Sequence, residues 1–189
     1  LRKEGNLPEE TRQMFEEKPV EQLFDLANDP FEQDNIINDS DMKKRIDLLR
    51  NKINNWMIEY YDTGLLNEGE MMLRAAENNT SVYEIARSYP SGGFQKILES
   101  AQKVGKIDDL DDLVPYLNSD DTAVRYWALV ALEAYDGNID TFVPDLKKMM
   151  KDNALPVAVK AAEIMVKEYN SRDALEVLEE ILKHDFEPL

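Results

Sequence analysis

The side chains that could do chemistry are few, and their spacing limits what they could do. Asp62-Thr63-Gly64 could offer a carboxylate to an attacking water. That chemistry needs a second aspartate sharing the proton, held in a β-rich frame. Here the tripeptide follows a helical stretch, and Gly64 is suited to stop it. The single histidine, His184, follows Leu182 and Lys183 near the C-terminus, where a cation favours a helix end. Neighbouring acids such as Glu16-Glu17, Asp108-Asp109 and Glu179-Glu180 are adjacent in sequence. On a helix adjacent residues diverge by about 100 degrees, so such pairs do not converge on one atom. Asp25, Asp29 and Glu32 could ligate a cation, but Asp and Asn in turns bond their own backbone, and that explains them more simply. No glycine-rich phosphate loop and no His-based metal spacing occurs. No catalytic, cofactor-binding or metal-ligating residue is therefore assigned, and the chain by itself is not expected to be an enzyme.

Composition narrows the remaining classes. The 189 residues contain 22 Lys and Arg against 39 Asp and Glu, a net charge of −17, and no cysteine. Disulfides and thiolate chemistry are excluded. A chain this acidic, with no clustered basic stripe, is a poor partner for nucleic acid or an anionic membrane. An acidic, well-solvated surface is its simplest meaning. No apolar run is long enough to span a bilayer, and no signal peptide is visible. Leu1 is not a natural start, so an upstream part is expected, and localisation stays unknown from this chain.

The elements that would position any site fall into three zones. Residues 1–38 hold few periodic apolar positions, with Pro19 and Pro30; Leu23, Phe24 and Leu26 read as one short extended strand before the turn Asn28-Asp29-Pro30. Such a strand has no ladder partner here, so its mates would lie upstream. Residues 39–92 read as a helical connector. Met42, Ile46, Leu49, Ile53, Trp56, Met57 and Tyr60 form one apolar stripe, capped by Asp39 or Ser40. Ser81-Val82-Tyr83-Glu84 is a capping box, and Pro90 to Gly93 is the turn ending the helix it opens.

Residues 93–189 read as repeats. Phe94, Ile97, Leu98, Ala101 and Val104 form a helical face closed by Gly105. Leu113-Val114-Pro115-Tyr116-Leu117 recurs 29 residues later as Phe142-Val143-Pro144-Asp145-Leu146, with Asp112 or Thr141 expected as cap and the proline in the first turn. A partner helix follows each copy: Val124 to Leu132, then Val157 to Met165. Ala128 and Ala131, then Ala161 and Ala162, are small enough for close helix approach. A last helix carries Ala174, Leu175, Leu178, Ile181 and Leu182. Paired helices at this period predict an all-α superhelix, and Asp120-Asp121, Val124-Arg125 and the alanines resemble HEAT repeats.

Leu23-Phe24-Asp25-Leu26-Ala27-Asn28-Asp29-Pro30-Phe31-Glu32-Gln33-Asp34-Asn35-Ile36 resembles the signature near the C-terminus of bacterial sulfatases: Glu-Leu-Tyr-Asp-Leu, two residues, Asp-Pro, one residue, Glu, two residues, Asn-Leu. Gln22, Phe24 and Ile36 depart from it, and the spacing is intact. Ser88-Tyr89-Pro90-Ser91-Gly92 meets four of the five positions of that family's nucleophile motif, but Gly92 stands in place of the arginine. The resemblance implies a parent that hydrolyses sulfate esters, with glycans as the expected substrates, with calcium and formylglycine in an upstream catalytic domain and a periplasmic or secreted location. This chain would be its non-catalytic C-terminal region, packing on that domain in cis or meeting another protein, and an exposed apolar face near residues 20–60 is expected. The alternative is a free-standing HEAT-repeat adaptor that binds another protein through aromatics such as Tyr126, Trp127 or Tyr135.

Overall fold

The computed structural model describes Phe15 and residues 18–183; Glu16, Glu17 and His184 lie outside the described residues. Among these the regular structure is helical, without a strand. The α-helices are α1 (Lys43–Glu59), α2 (Glu68–Glu77), α3 (Val82–Arg87), α4 (Gly93–Ala101), α5 (Val114–Leu117), α6 (Thr122–Glu133), α7 (Val143–Met149), α8 (Leu155–Tyr169) and α9 (Arg172–Lys183). None of the described helices is long and apolar enough to cross a membrane. Two compact units divide the chain, Leu1–Trp56 and Met57–Leu189, with the boundary inside α1.

The expected strand at Leu23 to Leu26 is absent. Asp25 accepts from the Ala27 N–H at 3.1 Å and from the Asn28 side-chain amide at 2.7 Å. The Asn28 and Asp29 N–H groups donate to the Asp25 carbonyl at 3.0 and 2.7 Å. Local bonds of this kind compete with a ladder, and here they turn the chain before a strand can extend. Asp39 then caps a 3-10 turn, Ser40–Met42, that leads into α1. Of the α1 stripe only Ile46 is buried within the helix, while Ile53 and Trp56 stay more than half exposed.

Gly64 does not end α1. The reversal falls earlier, at Tyr61, whose φ of 53° is left-handed; the Asp62 N–H reaches back to the Met57 carbonyl at 2.9 Å. Gly64 instead sits in a 3-10 turn, Thr63–Leu65, and donates to the Asp62 side chain at 3.0 Å. Asn67 opens α2, a helix not read from the sequence, by accepting from the Gly69 N–H at 3.1 Å. Ser81 caps α3 through the Glu84 N–H at 3.2 Å, and Gly92, at φ 80°, supplies the left-handed residue before α4.

The two helices that open with Val-Pro are entered through a 3-10 turn, Leu110–Leu113 before α5 and Asp140–Phe142 before α7, and in both the proline lies in the first helical turn. The caps are not Asp112 and Thr141. Asp109 caps the first 3-10 turn by accepting from the Asp111 N–H at 3.0 Å; the second is entered at Ile139, which offers no side-chain cap, and Asn138 just before it accepts from the Asp140 N–H at 2.7 Å. Asp112 pairs with Lys103 at 3.2 Å instead. The longer second copy lengthens its first helix: α5 has 4 residues and α7 has 7.

Two clusters form the core of the second unit. One gathers Leu65, Leu66, Ala86, Phe94, Ile97, Leu98, Ala123 and Val124. The other joins α5 to α9 through Leu117, Leu129, Leu132, Leu146, Ile164 and Ala174. Ala128, Ala131, Ala161 and Ala162 are fully buried where α6 packs on α8, so the small residues do permit close approach. Each fully buried leucine or isoleucine contributes about 1.5–3 kcal/mol by leaving water.

Candidate functional site

The sulfatase-like segment folds into a closed loop held by its own polar residues. The Leu23 N–H donates to Asn35 Oδ1 at 2.9 Å, and the Ile36 N–H donates to the Leu23 carbonyl at 2.9 Å. Asn35 Nδ2 reaches the Glu21 carbonyl at 3.3 Å, and the Asp34 N–H donates to Asp29 Oδ2 at 2.9 Å. Hydrogen bonds from the backbone N–H groups of Asp34 and Gln33 hold the Asp29 carboxyl below the usual carboxylate range. Asp25, Asp29 and Asn35 thus spend their oxygens on nearby N–H donors. Glu32, at φ 54°, shapes the turn. Among the described residues no three His, Cys, Asp or Glu side chains gather as a metal cluster would require.

This loop lies in a surface rich in exposed apolar side chains. Val20, Leu26, Phe31, Leu48, Ile53 and Trp56 are each more than half exposed, Phe31 by 80%. Between the loop and α1 opens a cavity of about 340 Å³ walled by Leu23, Ile37, Ile46, Leu49 and Ile53. Its rim carries Arg50, whose Nε and Nη2 both donate to the Glu21 carboxylate at 2.9 Å. Arg50 thus spends two of its donors on Glu21 at the edge of the apolar hollow.

The remaining chemical candidates are occupied structurally. Ser88 Oγ donates to the Ile85 carbonyl at 2.7 Å at the end of α3, and Tyr89 O–H accepts from Arg74 at 3.0 Å. Asp62 and Asp109 are caps, and Glu179 and Glu180 are exposed on α9. Tyr126, Trp127 and Tyr135 are half-buried. The Trp127 indole N–H donates to the Leu65 carbonyl at 2.7 Å, so this aromatic binds its own fold.

Two polar clusters escaped the sequence reading. Arg74 on α2 donates to Glu70, Tyr89 and Thr122, tying α2 to the turn after α3 and to the start of α6. Burial pushes the Glu70 carboxyl up against the pull of Arg74, and its Oε2 is buried without a hydrogen-bond partner. Burial likewise pushes Tyr89 up to about 12. The i,i+4 spacing of Glu70 and Arg74 was legible, but their burial was not. In the second cluster Arg125 grips Asp152 through two N–H groups, at 2.9 and 2.8 Å, and spends the rest on the carbonyls of Ser119 and Asp120. Twenty-seven residues separate the pair, so no local pattern announces it.

With this geometry in place, comparison with known proteins gives one direction. Over 73 residues, 38% of the chain, it is 37% identical to an ulvan-active sulfatase of Formosa agariphila. The match spans 12% of that protein's length. No family model matches the chain, and no solved structure does. The likeness is to a sulfatase, over that stretch.

Proposed function

We propose that this chain is a non-catalytic, C-terminal region of a sulfatase acting on glycans. The 20–56 surface docks on the enzyme's catalytic domain, and helices α5 to α9 form a short HEAT-like array for packing or interaction. The observation that carries the reading is the Leu23–Ile36 loop. It resembles a sulfatase end signature in sequence, its Asp25 and Asp29 accept from the loop's own N–H groups, and it stands among exposed apolar side chains beside an apolar hollow. The partial likeness to an ulvan-active sulfatase points the same way. Exposed apolar side chains in this number support a docking role. In this reading formylglycine and calcium belong to the catalytic domain, with a periplasmic or secreted location for the parent.

Reading the gene on the 5′ side of Leu1 tests the proposal. A Cys/Ser-x-Pro-x-Arg motif with an acidic metal cluster is expected there. An initiation codon directly upstream without these features would overturn it. The purified chain is expected to release no sulfate from aryl sulfate or sulfated glycan, and measurable release would refute the non-catalytic role.

A further inference from the structure

A polar hollow of about 290 Å³ opens between the turn that links α5 to α6 and the turn that links α7 to α8. Its floor is held in place by Arg125, which bonds twice to Asp152 and to the Ser119 and Asp120 carbonyls. Asp152 also accepts from the Ala154 N–H at 2.9 Å. Leu117 and Met149, each 6% exposed, add a small apolar patch. The walls differ from the floor. Asp145, Lys148, Lys151 and Asn153 line the hollow, and among the described residues their side chains have no hydrogen bond or ion pair. Asn118 gives its Nδ2 to the Val114 carbonyl at 2.9 Å, which leaves its Oδ1 to accept.

Unpaired lysines need a reason in a chain where 39 acids outnumber 22 bases. Elsewhere in this unit Lys103 pairs with Asp112, and Lys160 and Lys167 pair with Glu133 and Glu163. The dipole at the end of α7 accounts for Lys147 and Lys148. It does not account for Lys151 and Asn153, which lie past that helix and line the same hollow.

We infer that the hollow binds a single sugar ring carrying one sulfate or carboxylate. Lys148 and Lys151 take the anion, Asp145 and Asn118 Oδ1 accept from ring hydroxyls, and the C–H face of the ring lies on Leu117 and Met149. The volume is at the lower end for ligand sites, about 300 Å³, and admits one ring, not a chain. No aromatic side chain lines the hollow among the described residues, so a peptide finds no anchor there. A polyanionic chain would feel the net charge of −17. A single anion within a Debye length of about 8 Å of the two lysines feels them first. The natural source of such a ring rests on the sulfatase reading, while the chemistry of the hollow does not.

The full chain, labelled with nitrogen-15, is titrated with glucose 6-sulfate and with glucuronate while amide shifts are followed. Saturable shifts are expected at Ser119 and at residues 148–153, with glucose and inorganic sulfate binding about fivefold or more weaker. The double variant Lys148→Gln, Lys151→Gln is expected to lose about tenfold in affinity, because two solvated charge contacts go. Asn153→Ala is expected to lose a smaller factor. Neither variant touches the bonds of Arg125, and the amide spectrum of each checks that it stays folded. Binding of one anionic sugar alone supports the inference and identifies the anion. Absence of saturable shifts overturns it, as does unchanged affinity in the double variant. Inorganic sulfate binding as tightly as the sugars would leave a bare anion site, and an Asp-Glu dipeptide binding more tightly would assign a protein partner; either result overturns it. The upstream gene tests the sulfatase reading separately, so failure of one leaves the other standing.

Discussion

Arg125 and Asp152 join α6 to the segment that opens α8, and removing the carboxylate should cost more than any surface ion pair would. Their side chains are only 12% and 11% exposed. Asp152→Ala deletes both charge-assisted bonds to Arg125 and a third bond, from the Ala154 N–H at 2.9 Å, that orders the start of α8. Arg125 keeps the Ser119 and Asp120 carbonyls, at 2.8 and 3.0 Å, but its charge is left desolvated and uncompensated. Breaking a buried pair from one side costs about 3–5 kcal/mol. With a urea slope of about 2 kcal/mol per molar, the midpoint should fall by about 1.5–2.5 M. The double variant Arg125→Met, Asp152→Leu removes both charges and should recover most of that loss, short of about 1 kcal/mol for the missing cap. Urea unfolding of the single variants and the double variant at neutral pH, read as a double-mutant cycle, makes the check. A cost below about 1 kcal/mol for Asp152→Ala would refute the reasoning, since that is the range of solvated surface pairs.

Two further outcomes follow from the same structure. Trp127→Ala removes a half-buried indole and its bond to Leu65, and should cost about 3–5 kcal/mol, whereas Trp127→Phe keeps most of the packing and should cost about 1–2 kcal/mol; an unchanged melting temperature in the alanine variant would contradict the observed packing. Asp29 has its folded pKa lowered by the N–H groups of Asp34 and Gln33, so the stability it contributes is whole above the ordinary carboxylate range and is lost as pH falls through the lowered value. The Asp34 amide proton resonance should therefore titrate with a midpoint below about 3.9, and a midpoint at that value, or a titration surviving in Asp29→Asn, would count against the loop geometry.

Local sequence carried much of this protein. Asp39 and Ser81 mark helix starts because capping depends on a few adjacent groups, and the 29-residue recurrence of Val-Pro foretold matched helix openings. The spacing around Asp25, Asp29 and Asn35 pointed to a sulfatase-like segment. What it did not reveal is that these residues form a self-bonded loop where a strand was expected, because their side chains outcompete the ladder only once the chain has turned back to place Asn35 beside Leu23. Helix α2 went unread, and the caps of α5 and α7 moved upstream, since the choice between 3-10 and α geometry rests on packing as well as on sequence.

Burial and long-range partnership belonged to the tertiary structure alone. Leu146 and Leu175 are both helical leucines, yet one is buried and the other is 45% exposed. Arg125 has a local acid four residues earlier, Asp121, but that side chain caps α6 through the Ala123 and Val124 N–H groups, and Asp152 arrives only when the fold brings it to Arg125. Sequence by itself determined the helical class, the acidic surface and the family likeness, because those depend on composition and on groups a few residues apart. Only the fold decided which apolar side chains remain exposed, because exposure is set by residues distant in the chain.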